Sequence, residues 1–259
     1  MDRIDVDGIG IEYRWIGPRS GPVVVFLHEG LGCVTTWRDF PDRVADASGL
    51  GVVVYSRWGY GGSDPRPLPW PVDHMEGEAT TRLPVLLDAL DVGERILWGH
   101  SDGGTVALVY AGTQDDPLLR GVISVAAHVF AGEPIGMASI EAIRGEHATG
   151  ELDERLARHH ADPDGAFHGW ADTWAHLDTS GWSVESHLAG VAVPTLVVQG
   201  SADEYGTLRQ VDAICAGIGS GATRRVLDGC GHRPHVDAPD EMLAETLAFL
   251  GDIDAAVVR

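Results

Sequence analysis

The chain has 259 residues, enough to bury one large core, and its 44% hydrophobic and 22% charged content is that of an ordinary folded protein. Its formal net charge of −21 is extreme: all 18 basic residues are arginine, and lysine is absent. This balance argues against nucleic-acid binding, because there is no basic patch to displace phosphate counterions.

Cys33, Cys215 and Cys230 are few, odd in number and far apart, which argues against a disulfide framework. The N-terminus, Met1-Asp2-Arg3-Ile4-Asp5, has no basic region followed by an apolar stretch, and no apolar run reaches membrane-spanning length. These features predict a cytoplasmic enzyme with a small-molecule substrate and no membrane partner; oligomeric state is not legible. The acidic balance fits a soluble, self-repelling surface, with adaptation to high salt or attraction of cationic substrates as the alternatives.

The first elements read as two strands, residues 4–6 and 9–15, joined by the turn Asp7-Gly8. Val23–Leu27 and residues 52–55 are continuous apolar, β-branched runs, the pattern of buried parallel strands. A helix is predicted over 37–47. Leu83, Leu86, Leu87 and Leu90 fall at helical spacing and predict an amphipathic helix over 75–90 despite Pro84. A short strand over 95–98 precedes Gly99-His100-Ser101-Asp102-Gly103, and a helix over 104–110 follows it. The next strand is 122–126. Residues 129–188 then show helical periodicity, six histidines and three tryptophans, with no good strand. The strand–helix rhythm returns with strand 195–199, helix Leu208–Ile218, strand 225–227 and helix 241–250. Alternating strands and helices predict an α/β fold: a mostly parallel sheet covered on both faces. The interruption predicts a helical cap (129–188) inserted after the sixth strand of a core formed by 1–128 and 189–259.

The pattern Gly-x-Ser-x-Gly places a serine at a tight strand-to-helix turn with its hydroxyl exposed. Its context here, strand then elbow then helix, is the order that nucleophilic chemistry requires. A serine hydroxyl needs a base within hydrogen-bond reach, and the base needs an orienting carboxylate. In such a fold these follow in the order Ser, acid, His, at the carboxyl ends of the strands. Asp203 sits where the chain leaves strand 195–199, and His232 follows the turn Asp228-Gly229-Cys230-Gly231 after strand 225–227. Glu204 is the second candidate acid, with Asp228 and Asp237 behind it. His100 adjoins Ser101 at the turn and is expected to point elsewhere.

Four motifs in order resemble the α/β-hydrolase superfamily, in its capped serine esterase, lactonase and C–C hydrolase branch. They are His28-Glu29-Gly30-Leu31-Gly32 with Trp37, Ser56-Arg57-Trp58-Gly59-Tyr60-Gly61-Gly62-Ser63, the elbow at Ser101, and the acid and base motifs at Asp203 and His232. The resemblance implies a Ser101–His232–Asp203 triad and an oxyanion hole made by the backbone N–H groups of Gly30 and Asp102, with no cofactor or metal. Hydrolysis of an ester, thioester or lactone is expected. The rival readings are cleavage of a β-diketone-type carbon–carbon bond and a ligand receptor with incidental hydrolysis.

The chain departs from the family pattern at Glu29, where glycine is usual, and at Ser56 and Trp58, which replace Asp and Arg. Glu29 is expected to pair with Arg57, and the two join Trp58, Trp170 and Trp174 as candidate pocket residues. Phe167, Trp170 and Trp174 share one helix face, which either seals the cap or walls a pocket. The Asp102 carboxylate is expected to favour its helix N-terminus. The cap histidines His147, His159, His160, His168, His176 and His187 match no metal-ligand spacing and read as solvated. Arg144, Arg155 and Arg158 read as surface pairs, leaving Arg57 as the arginine nearest the oxyanion loop. Uncharged substrates are therefore expected.

Overall fold

The computed structural model describes residues 1–257, and side chains through residue 253. Its strands are β1 (Asp2–Val6), β2 (Ile9–Ile16), β3 (Val23–Leu27), β4 (Gly51–Tyr55), β5 (Arg95–His100), β6 (Leu119–Val125), β7 (Thr195–Gly200) and β8 (Ala222–Leu227). They form one eight-stranded sheet in the order β1-β2-β4-β3-β5-β6-β7-β8. The β1–β2 and β2–β4 pairs are antiparallel and the rest are parallel. The helices are α1 (Phe40–Ser48), α2 (His74–Gly77), α3 (Leu83–Ala89), α4 (Asp102–Thr113), α5 (Pro134–Ala148), α6 (Asp153–Ala157), α7 (Pro163–Ser180), α8 (Glu185–Leu188), α9 (Leu208–Ile218), α10 (Pro234–Asp237) and α11 (Pro239–Val257).

The central strands are apolar on both faces because both faces are covered, and their side chains alternate between two cores. Val23, Val25, Leu27, Val53, Tyr55 and Leu97 join the core that also receives α3, α4 and α7. Val24, Phe26, Val52, Val54, Ile96 and Trp98 join the core under α1 and α11. There Trp98 stacks on Phe26 at 5.1 Å and donates its indole N–H to Thr246 Oγ1 at 3.1 Å.

Several elements depart from the sequence reading. The helix over 75–90 is three pieces, with a π-helical turn at Glu78–Arg82 between α2 and α3. Pro84 has no N–H for the preceding turn, and the wider turn lets buried Glu78 accept the Tyr55 hydroxyl at 2.9 Å. Residues 34–37 form a separate 3₁₀ turn before α1. β8 is twice the expected length: it is an edge strand whose Thr223, Arg224 and Arg225 are exposed, so it carries no apolar run to read. Between β6 and β7 the described residues hold α5–α8 and a single bridge, Phe130 with Ser183. No described helix is long and apolar enough to cross a membrane.

The topology fixes where a site can form. The chain runs from β3 outward to β4, then crosses back to β5 beside β3. The carboxyl ends of β3 and β5 thus flank a switch point, where ligands bind in open α/β sheets. Leu27 pairs with Gly99, so the loops after both strands emerge side by side. Gly200 pairs with Leu227, which brings the loops after β7 and β8 to the same edge.

Candidate active site

Ser101 occupies the junction of β5 and α4 with φ 51° and ψ −119°, a conformation that a residue with a Cβ adopts only under constraint. Its N–H is held by Val125 O at 2.8 Å. Gly103 makes the turn possible, because a Cβ there would lie 2.0 Å from Leu27 O. The Ser101 hydroxyl lies 3.0 Å from His232 Nε2, and His232 Nδ1 lies 2.9 Å and 3.0 Å from the two oxygens of Asp203.

Asp203 is fastened by three further donors. Its Oδ1 accepts the N–H groups of Tyr205 (2.8 Å) and Gly206 (3.2 Å), and its Oδ2 accepts from Gln199 Nε2 (3.1 Å). Burial works against charge on Asp203, but the hydrogen bonds it accepts from His232 and from the Tyr205 N–H outweigh it and hold the carboxyl below its usual range. An ionised Asp203 can only accept, so Nδ1 of His232 carries the proton and Nε2 presents its lone pair to Ser101. Burial lowers the His232 pKa more than Asp203 raises it, which keeps the ring neutral and able to accept a proton. Glu204 stands apart from this chain: its carboxylate accepts the His232 backbone N–H at 3.1 Å.

The loop after β3 is held by the Glu29 carbonyl. Glu29 O accepts from His28 Nδ1 (2.7 Å), Arg57 Nη2 (3.0 Å) and the Gly32 N–H (3.1 Å). His28 Nε2 accepts the Arg57 N–H at 2.9 Å, which fixes the His28 tautomer. A trans peptide points its N–H opposite its C=O. Three donors on Glu29 O therefore aim the Gly30 N–H away from them, and Gly30 and Asp102 both line the cavity beside Ser101. Gly30 is required there by close approach, since a Cβ would lie 1.9 Å from Trp170 Nε1.

The expected Glu29–Arg57 ion pair does not form. Arg57 is 2% exposed and bonds the Glu29 backbone, while its nearest carboxylate is Asp102, 1% exposed and 3.7 Å away. A buried guanidinium needs a buried counter-charge, and Asp102 supplies it. Asp102 Oδ1 also accepts the Trp174 indole N–H at 3.1 Å, so the carboxylate links α7 to the sheet as well as standing at a helix N-terminus. The Glu29 carboxylate instead faces His100 Nδ1 at 3.4 Å. Burial disfavours its charge, but the contact with His100 outweighs this and holds the carboxyl well below its usual range. His100 does point away from Ser101, with Nε2 bonded to His232 O at 2.8 Å.

A cavity of about 470 Å³ opens over Ser101. Of the candidate pocket residues, Glu29, Trp170 and Trp174 line it; Arg57 and Trp58 do not. Arg57 is buried away from it. Trp58 lies outside, with its N–H on Pro65 O and the guanidiniums of Arg66 and Arg82 over its ring. The missed wall is apolar: Phe130, Ile140, Ile143, Leu152 and Leu156. Its signal was the i, i+3 and i, i+4 spacing of the last four. Also missed were Tyr205, whose ring is 4.6 Å from that of His232, and the arginines Arg38 and Arg233. Phe167 turns inward and stacks on His147.

His160 is not solvated as expected. It is buried, accepts the Gly61 N–H at 2.9 Å and meets Leu31 O at 3.1 Å, tying the helical segment to two core loops. Among the described residues no three metal-ligating side chains are grouped to hold an ion.

Comparisons with known proteins agree with this architecture. A thermophilic esterase from Thermogutta terrifontis superposes with a TM-score of 0.76 at 21% identity, covering 98% of this chain and 99% of that one. The enol-lactonase from Burkholderia xenovorans LB400 superposes with a TM-score of 0.73 at 21% identity, covering 96% and 100%. Epoxide hydrolase A from Mycobacterium tuberculosis is 26% identical over 97% of each chain. The model of the alpha/beta hydrolase family matches residues 24–245, most of the length, and the chain belongs to that family.

Proposed function

We propose that the protein is a serine hydrolase that cleaves a small ester, thioester or lactone through an acyl-enzyme. The observation that carries the reading is the unbroken hydrogen-bonded chain Ser101 Oγ–His232 Nε2, His232 Nδ1–Asp203. Ser101 Oγ attacks the acyl carbon as His232 takes its proton. The oxyanion forms against the N–H groups of Gly30 and Asp102. The intermediate collapses, His232 protonates the leaving group, and a water activated by His232 then releases the acid. Asp203 holds the imidazole tautomer and stabilises the transient imidazolium. The helices α5–α8 act as a cap whose apolar wall takes the uncharged part of the substrate. A cytoplasmic location, where the three free cysteines stay reduced, belongs to the same reading.

The relative named an epoxide hydrolase does not redirect this reading. A serine alkoxide that opened an epoxide would leave an ether on the protein, which a histidine-activated water cannot cleave. The esterase and lactonase names of the structural neighbours fit the acyl-enzyme route. Carbon–carbon cleavage uses the same three residues and expels a carbanion; comparison of a matched ester and diketo-acid separates the two. A receptor would give one slow event per ligand.

The test is a panel of aryl esters, lactones and thioesters against the wild type and Ser101→Ala. The reading requires multiple turnovers by the wild type, none by the variant, and an unchanged melting temperature. Turnover retained in Ser101→Ala would remove it.

A further inference from the structure

In a chain of net charge −21 an arginine finds a carboxylate easily. Most described arginines do so, as in Arg3–Asp64, Arg95–Asp116 and Arg120–Glu94, or else lie over an aromatic ring. Among the described residues, those with neither partner are Arg38, Arg158 and Arg233. Arg38 and Arg233 both line the cavity over Ser101, and both are exposed. Arg155 lines it too, with its Glu146 partner at 3.7 Å. Two of the three described arginines that lack a partner thus line the cavity over Ser101, and each is exposed.

The fold brings these groups together. The Trp37 ring lies 4.8 Å from that of His235, so the turn ending at Trp37 faces α10. Arg38 follows Trp37, and Arg233 directly precedes α10. Arg38 is held at φ 55°, a strained backbone for a residue with a Cβ. Arg155 and Arg233 both act electrostatically on the Tyr205 phenol, beside His232. The carboxylates that line the cavity have other partners: Glu204 the His232 N–H, Glu29 His100, Glu133 Thr207 and Gln210, Glu146 Arg155, Asp178 the Gly132 N–H and Asp102 Arg57.

We propose that Arg38 and Arg233 form an anion-binding mouth that holds a carboxylate or phosphate borne by the substrate away from its scissile bond. The proposal rests on Ser101 being the nucleophile, and it replaces the sequence expectation of uncharged substrates. A guanidinium fork matches either oxyanion with two parallel hydrogen bonds. A cationic rim also offsets the repulsion that the acidic surface imposes on an approaching anion.

The test uses aryl esters of equal length ending in methyl, carboxylate, phosphate or trimethylammonium. Values of kcat/KM are measured for the wild type, Arg38→Gln, Arg233→Gln and, as a remote control, Arg120→Gln. The wild-type ratio of anionic to methyl ester should be about 10–100 at low salt and should fall as salt rises. Both mouth variants should bring the ratio towards unity, and the control should not. The preferred anion, carboxylate or phosphate, identifies the natural group. A wild-type ratio near one, a ratio unchanged in both mouth variants, or preference for the ammonium ester overturns the proposal. If no ester is cleaved, the hydrolase reading has failed separately. Calorimetry with the free carboxylate, the phosphate and their neutral analogue then reads the mouth directly, and equal binding of the three overturns it.

Discussion

Arg57→Met removes a buried charge that serves both halves of the proposed oxyanion site. It leaves Asp102, 1% exposed, with the Trp174 N–H as its remaining side-chain partner. Breaking a buried pair on one side costs about 3–5 kcal/mol, or roughly 6–20 °C in melting temperature for a chain of this size. Catalysis should fall for a different reason. Arg57 supplies one of three donors to Glu29 O, and through that peptide it helps aim the Gly30 N–H. A whole oxyanion donor is worth about 3 kcal/mol, so a loosened one should cost about 1–2, or roughly 5–30-fold in kcat. Adding Asp102→Asn separates the two effects, because it removes the stranded carboxylate without restoring the donor. Thermal unfolding and aryl-ester kinetics are measured on both single variants and the double. Stability should largely return in the double variant while kcat stays low. If kcat recovers together with stability, Arg57 only balances charge and its orienting role is wrong.

Asp203→Asn should lower kcat strongly by favouring the wrong His232 tautomer, whereas Glu204→Gln should do so by less than about tenfold, because Glu204 touches only the His232 backbone. A larger loss in Glu204→Gln would mean that the acid is misassigned. Acid should destabilise the fold early. Burial lowers the pKa of His28, His74, His232 and His235, that of His74 to about 3. The unfolded chain protonates these groups near 6.5 and the folded chain does so only at lower pH. Their contribution is thus complete above that value and lost below it, by about 1.4 kcal/mol per pH unit for each group. Denaturant midpoints should be level between pH 7 and 8 and drop steeply between 6 and 5; a level profile down to pH 5 contradicts the burial of neutral rings. The kcat/KM of the wild type should likewise hold down to below pH 6.5, because His232 stays neutral there.

The parts legible in the sequence were those with a local signal. β3, β4 and β5 are unbroken apolar runs, and the elbow joins a strand to a helix within five residues. Ser101, Asp203 and His232 each follow a strand end, so chain order alone placed them on one edge. The misread parts depend on contacts distant in sequence. Charge alone pairs Arg57 with the Glu29 side chain, but in the loop after β4 it meets the Glu29 carbonyl and Asp102. Trp58, the next residue, donates its N–H to Pro65 O and does not line the cavity. His160 looks like one of several cap histidines until Gly61 and Leu31 are folded against it. Nothing local marks Arg38 and Arg233, nearly 200 residues apart, as neighbours of one cavity. The helix over 75–90 carries the right apolar spacing, yet Pro84 and buried Glu78 impose a wider turn that periodicity does not report.

The central claim is that Ser101 forms a covalent acyl-enzyme. It is tested most directly by treating the native protein with a fluorophosphonate and mapping the adduct by peptide mass spectrometry. The predicted result is one adduct per chain, on Ser101. It should be absent in Ser101→Ala, strongly slowed in His232→Ala, and prevented by prior incubation with a slowly hydrolysed ester. Labelling at another residue, or none on a folded protein, would contradict the account.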